Sequence, residues 1–160
     1  LSKNIQFVLL GDGDGHYKAA FRYLADKYQK NMAAFLGFYP DEAHRIYAGS
    51  DFFLMPSYFE PCGLGQMISL RYGAAPVARS TGGLADTVID ADAHWKKGNG
   101  FVFNEYTAGA LLSAVERALR AFEDKKRLHA IRVSGMKKDF SWKHSAKEYL
   151  EFYKAISSKR

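Results

Sequence analysis

The chain has 160 residues, 48% hydrophobic, 25% charged and 15% aromatic, the composition of a globular domain rather than of a collagen, a disulfide scaffold or a disordered tail. Lysine and arginine number 23 against 17 aspartate and glutamate, a net charge of +6, which reads first as a solvated basic surface, next as affinity for a phosphorylated small ligand, and last as nucleic-acid binding, because no stacking motif or zinc finger accompanies the basic clusters. The single cysteine, Cys62, excludes an internal disulfide and a cysteine-cluster zinc site, and no apolar run approaches the ~20 residues of a membrane-spanning helix.

The chain opens on Leu1 with no signal-peptide pattern and enters a strand almost at once, which reads as part of a longer protein or as a chain numbered from its ordered part. Residues 5–10 are apolar but for Gln6 and end in Gly11-Asp12-Gly13-Asp14-Gly15, which predicts a strand buried on both faces. Tyr17, Ala20, Phe21, Leu24 and Tyr28 recur at helical spacing and predict an amphipathic helix over 16–29. A second strand follows at 33–36, ending at Gly37, and Pro40 suits the first turn of a helix whose inward face is Ala43, Ile46 and Tyr47. A third strand is predicted at 51–55, then a helix marked by Leu64, Met67, Ile68 and Arg71 or Tyr72, then strands at 76–78 and 100–103. Three helices close the chain: one carrying Leu111 to Phe122, one over 125–138, and one whose inward face is Ala146, Tyr149, Leu150, Tyr153 and Ile156. Strand–helix alternation at this spacing predicts one α/β domain, a doubly wound parallel sheet with right-handed crossovers. Ligands of such sheets bind beyond the carboxyl ends of the strands, so the loops at 11–15, 37–40, 56–63 and 80–86 carry the candidates.

The first of these loops fails two familiar patterns. A dinucleotide fingerprint needs a glycine where His16 stands, and a calcium loop needs an acid where Tyr23 stands, so Asp12 and Asp14 read mainly as turn residues. The segment 56–65, Pro-Ser-Tyr-Phe-Glu-Pro-Cys-Gly-Leu-Gly, says more. A helix starting near Gly63 points free N–H groups into the ligand crevice, and such a terminus binds phosphate through those donors and the helix dipole. Glu60 at the mouth would repel a phosphate, so its partner is a hydroxyl-rich group or a developing positive charge. Together these suggest a nucleotide sugar, with the diphosphate on the helix and sugar hydroxyls on Glu60. The competing reading of Glu60 is a charge at a helix N-terminus, worth ~0.3–1 kcal/mol. Cys62 reads as packing and backbone contact, or as a thiolate lowered by the helix terminus. Thr81, Gly82 and Gly83 permit close backbone approach at the end of the fourth strand, or form a plain turn into a short element. Phe38, after Gly37 at a strand end, packs locally or lies on a nucleotide base. The polar stretch 90–99 around His94 reads as a surface loop, and the five histidines show no metal spacing.

Taken together, Ser50 to Ser57, Phe59-Glu60-Pro61-Cys62-Gly63-Leu64, Arg71-Tyr72-Gly73, Thr81-Gly82-Gly83-Leu84-Ala85-Asp86-Thr87-Val88 and the ending Phe140-Ser141-Trp142 resemble bacterial glycogen synthase and plant starch synthase, glycosyltransferase family 5. The resemblance runs over essentially the whole chain. It implies most of the carboxyl-terminal, donor-binding, Rossmann-like domain of a two-domain GT-B enzyme, whose amino-terminal acceptor domain lies outside these residues. It implies retaining transfer of glucose from ADP-glucose to the non-reducing end of an α-1,4-glucan, without a metal or other cofactor, in a bacterial cytoplasm or a plant plastid, and without nucleic-acid or membrane partners. Glu60 then matches the donor-site glutamate that contacts the transferred glucose. Cys62, Gly63 and Leu64 match the helix-start residues at the distal phosphate and sugar. Gly37 and Phe38 match the pair beside the adenine, and Thr81, Gly82 and Gly83 the later glycine motif.

Two positions depart from the wider group of retaining enzymes. Ile68 stands where a second glutamate is common, which favours the glycogen-synthase branch over sucrose- and lipid-glycosylating relatives. Tyr58 stands where an arginine is common. Another retaining GT-B transferase with a different nucleotide sugar, or a non-catalytic nucleotide-binding module, are the alternatives the residues leave open.

Overall fold

The computed structural model describes residues 4–157. It divides into two compact units, Leu1–Gly49 and Ser50–Arg160, and every ladder of both is parallel. Strand and helix alternate through both units as expected of an α/β chain.

The first unit holds β1 (Phe7–Gly11), α1 (Gly15–Lys27), β2 (Met32–Leu36) and α2 (Pro40–Gly49). β1 and β2 pair from Phe7↔Met32 to Gly11↔Leu36. The Asp14 carboxylate accepts from the His16 N–H at 2.8 Å, which caps α1 and starts the helix directly after the turn. The expectation of a first strand buried on both faces does not hold: Val8 is 43% exposed and the rest of β1 is only half-buried. Of the predicted inward face of α1, Phe21 and Leu24 are half-buried, whereas Tyr17 is exposed.

The second unit holds β3 (Phe52–Met55), α3 (Gly65–Tyr72), β4 (Ala75–Arg79), α4 (Gly83–Thr87), β5 (Phe101–Phe103), α5 (Ala108–Glu123), α6 (Lys125–Met136) and α7 (Trp142–Ser157). The sheet order is β3-β4-β5, and the central β4 is buried along all but its last residue. Ala75 donates to Asp51 on the β3 side, so Pro76 turns its missing N–H toward β5, whose ladder begins only at Val77↔Phe101. The core joins Val77, Phe101 and Phe103 to Ile131 and to the alanine stripe Ala114, Ala118 and Ala121 of α5. Those small side chains bring the α5 backbone close to the ring of Phe101, with Leu111 and Val115 filling the flanks.

Two expectations are corrected here. The stretch 90–99 is not simply a surface loop. Its middle, residues 92–97, is exposed, but Asn99 is fully buried, accepting from Ile89 N–H at 2.7 Å and donating to Thr87 O at 3.1 Å. Asp90 takes the Val102 N–H at 2.7 Å and Arg117 at 2.8 Å, which ties the stretch to β5 and α5. Burial raises the Asp90 carboxyl, but these donors together with the Ala93 N–H outweigh it and hold the group below its ordinary range. The last helix forms as predicted, yet none of its residues is buried: Tyr149, Leu150, Tyr153 and Ile156 are all at least half exposed. Among the described residues, no helix is long and apolar enough to cross a membrane.

Candidate functional site

The carboxyl end of β3 leads into residues 56–64, and the helix expected near Gly63 starts at Gly65 with Leu64 as its N-cap. Gly63 causes the delay. Its φ is +74°, a left-handed turn that a helix cannot include, and a Cβ there would fall 2.4 Å from Gln66 Oε1. The Leu64 cap offers no side-chain acceptor and the first turn carries no acid. Ile68 is the first N–H to close back, onto Leu64 O at 2.9 Å. The N–H groups of Gly65, Gln66 and Met67 therefore have no intrahelical acceptor. Glu60 lies upstream of this first turn, and its Cγ stands 3.0 Å from where a Gly63 Cβ would be.

The two motifs singled out in the sequence meet. Gly83 N–H donates to Glu60 O at 3.0 Å. A Cβ at Gly82 would stand 2.0 Å from Glu60 O, and one at Gly83 would stand 2.2 Å from Cys62 O. Both obstacles are backbone, so only glycine allows the Thr81–Gly83 turn to lie on the Glu60–Cys62 loop. Gly82, at φ +45°, also has a conformation that other residues resist. The turn continues into α4 through Leu84 N–H to Thr81 O at 3.1 Å and Ala85 N–H to Gly82 O at 3.0 Å.

Gln66 is the residue that sequence reasoning missed. It is fully buried, and its amide nitrogen donates to Cys62 O at 2.9 Å and to Thr87 Oγ1 at 3.1 Å. The Thr87 hydroxyl donates onward to Gly83 O at 2.7 Å. One side chain thus pins the loop, the first turn of α3 and the whole of α4 together. Its only signal in the sequence is a polar amide inside an otherwise apolar helix start.

Around this frame, Glu60 is half-buried, while Cys62, Tyr58, Phe59 and Leu64 are exposed. The Cys62 thiol has only a long contact to Gly63 O, at 3.9 Å. Arg79, at the end of β4, donates to Tyr58 O at 2.6 Å and to Asn104 O at 3.0 Å, and its guanidinium lies 5.4 Å from the Tyr106 ring centroid. Tyr58 and Tyr106 meet edge to face at 5.2 Å.

In the first unit, Gly37 donates to Gly11 O at 2.9 Å, so the ends of β1 and β2 are tied. The Phe38 ring is 88% exposed, which removes the packing reading for it within that unit. Asp12 accepts from Lys18 and from Gly13 N–H, each at 2.8 Å, and the Lys18 ammonium beside it holds its carboxyl below the ordinary range. Both acids of the glycine turn are therefore engaged locally. They border a depression of about 160 Å³ lined by Gly11, Gly13, Tyr17, Lys18 and Leu36.

Residues 1–132 match the family described as glycosyl transferases group 1. Over 98% of its length the chain is 52% identical to a glycogen synthase of Desulforudis audaxviator, of which it spans 31%, and 50% identical to one of Geotalea daltonii, of which it spans 32%. It thus covers about a third of the curated relatives it matches. The catalytic domain of starch synthase IV from Arabidopsis thaliana, solved with ADP and acarbose bound, superposes with a TM-score of 0.83 at 38% identity, over 96% of this chain and 32% of that one.

Proposed function

The chain belongs to the glycosyl transferases group 1 family, and we propose that it forms the donor-binding part of a glucan synthase. Its parent would transfer glucose from ADP-glucose to the non-reducing 4-hydroxyl of an α-1,4-glucan, with retention at the anomeric carbon. One observation carries the reading: the Glu60–Leu64 loop and the Thr81–Gly83 turn are pressed together beside the uncapped N-terminus of α3.

The roles follow from the chemistry of these groups. The N–H groups of Gly65, Gln66 and Met67 take the diphosphate, and Gly63 leaves room for it to approach the backbone. As the bond from anomeric carbon to phosphate breaks, negative charge grows on the leaving diphosphate, and donors already aimed there stabilise it without reorganising. Cys62 and Leu64 border the same turn. The Glu60 carboxylate, unsuited to a phosphate neighbour, accepts hydrogen bonds from the transferred glucose and favours positive charge developing on its ring. Gly37 and the exposed Phe38 ring are the elements for the adenine. The reading asks for no metal ion, because the helix terminus meets the phosphate charge, and added EDTA should leave the rate unchanged. The acceptor domain would come from the rest of the parent, in a bacterial cytoplasm or a plant plastid.

The test follows labelled glucose into glycogen in the full-length parent, from ADP-glucose and separately from UDP-glucose. Incorporation from ADP-glucose is the expected result. Incorporation from UDP-glucose alone would change the donor, and none from either would overturn the reading.

A further inference from the structure

The carboxyl ends of β3, β4 and β5 bring together three residues that the donor reading leaves unused: Tyr58, Arg79 and Tyr106. The two rings stand edge to face with centroids 5.2 Å apart and planes at 76°, and both are open, Tyr58 at 73% and Tyr106 at 58% exposure. An exposed tyrosine pair is ordinarily free to swing. This one is braced, because Arg79 holds the backbone carbonyls of Tyr58 and Asn104 and also lies against the Tyr106 ring. The guanidinium is engaged with two carbonyls and a ring, which suits it poorly to capturing a phosphate. What remains on offer is the flat, amphipathic ring of Tyr58, its backbone held by Arg79 and its ring meeting that of Tyr106, two residues before Glu60.

We propose that Tyr58, buttressed by Tyr106 and Arg79, is a stacking platform for a glucose unit of the α-glucan acceptor. This rests on the donor reading above. In that reading Glu60, two residues after Tyr58, meets the sugar end of the donor, so this aromatic surface faces sugars rather than the diphosphate. A pyranose presents an apolar face of C–H groups to an aromatic ring, with hydroxyls at its rim for the phenol. Neither ring carries a charge that would call for an ionic ligand.

The test uses the full-length parent with Tyr58→Ala, Tyr58→Phe and Tyr106→Ala. The Tyr58 brace runs through its backbone carbonyl, so truncating the side chain leaves the Arg79 contact in place. With maltoheptaose as acceptor, Tyr58→Ala should raise the acceptor KM about tenfold. The ADP-glucose KM should move less than about twofold, and Tyr58→Phe should stay near wild type. Tyr106→Ala should fall between them. An unchanged acceptor KM in Tyr58→Ala, or an equal rise in both KM values, overturns the platform. A second readout needs no turnover: migration in native gels cast with glycogen. Glycogen should retard the wild type, and Tyr58→Ala should release it. Absence of retardation in the wild type would overturn the platform. Retardation without transfer from ADP-glucose would leave the platform standing and overturn the donor reading instead.

Discussion

Two glycine-rich turns at strand ends look alike as letters and differ as structure. In the turn after β1, a Cβ added to Gly11, Gly13 or Gly15 would meet nothing within 4 Å. In the turn after β4, a Cβ at Gly82 or Gly83 would strike backbone of the Glu60–Cys62 loop at 2.0 and 2.2 Å. The first turn spends its polarity on itself, in the Asp12–Lys18 pair and the Asp14 cap. The second is moulded against another loop. A count of glycines does not separate these cases, whereas the atoms that a side chain would displace do.

The largest expected effect on that contrast is Gly82→Ala. The new methyl would need the Glu60 carbonyl to move, at a backbone conformation with φ of +45°, and backbone does not give way as a flexible side chain can. In the full-length parent this should cost on the order of 3 kcal/mol, read from the denaturant midpoint. It should also lower transfer in whatever protein remains folded. Next comes Gln66→Leu, which keeps the volume but leaves the Cys62 carbonyl and the Thr87 hydroxyl without the fully buried amide that donates to them. A loss of about 2 kcal/mol is expected, and the KM for ADP-glucose should rise as the loop loosens. A variant with wild-type stability and wild-type KM would remove Gln66 from its positioning role. The smallest effect should be Gly13→Ala, within about 1 kcal/mol of wild type by the same midpoint. A cost as large as that of Gly82→Ala would mean that the two turns are not different in kind.

Much of the fold is legible in the residues because strand and helix periods are local properties. The central strand was expected at 76–78 and runs Ala75–Arg79, a shift within the usual latitude of element ends. Burial is less local. The run before Gly11 is as apolar as a core strand, yet Val8 lies open, because burial depends on the layer that covers a face rather than on the face itself. The pattern of α7 likewise identifies an apolar stripe and not what lies against it.

The candidate site divides in the same way. Glu60, Gly63, Gly82 and Gly83 stand out as motif letters. Their meeting depends on β3 and β4 being neighbours in the sheet, which no spacing announces. Gln66 and Asn99 stay hidden because a buried amide looks like a surface amide until its partners are known: Cys62 O and Thr87 Oγ1 for one, Ile89 N and Thr87 O for the other. The delayed start of α3 comes from the positive φ of Gly63, which composition alone does not reveal.

The central claim is that the carboxylate of Glu60, carried on the loop that Gly82 and Gly83 receive, acts on the transferred sugar rather than on the fold. The Glu60 contact to Gly83 is made by the backbone, so Glu60→Ala should leave the frame intact. The direct measurement is kcat with ADP-glucose and glycogen in the full-length Glu60→Ala protein, beside its affinity for ADP and its unfolding midpoint. The account predicts a fall in kcat of about a hundredfold or more, with ADP affinity and midpoint close to wild type. Wild-type turnover in that variant would contradict it.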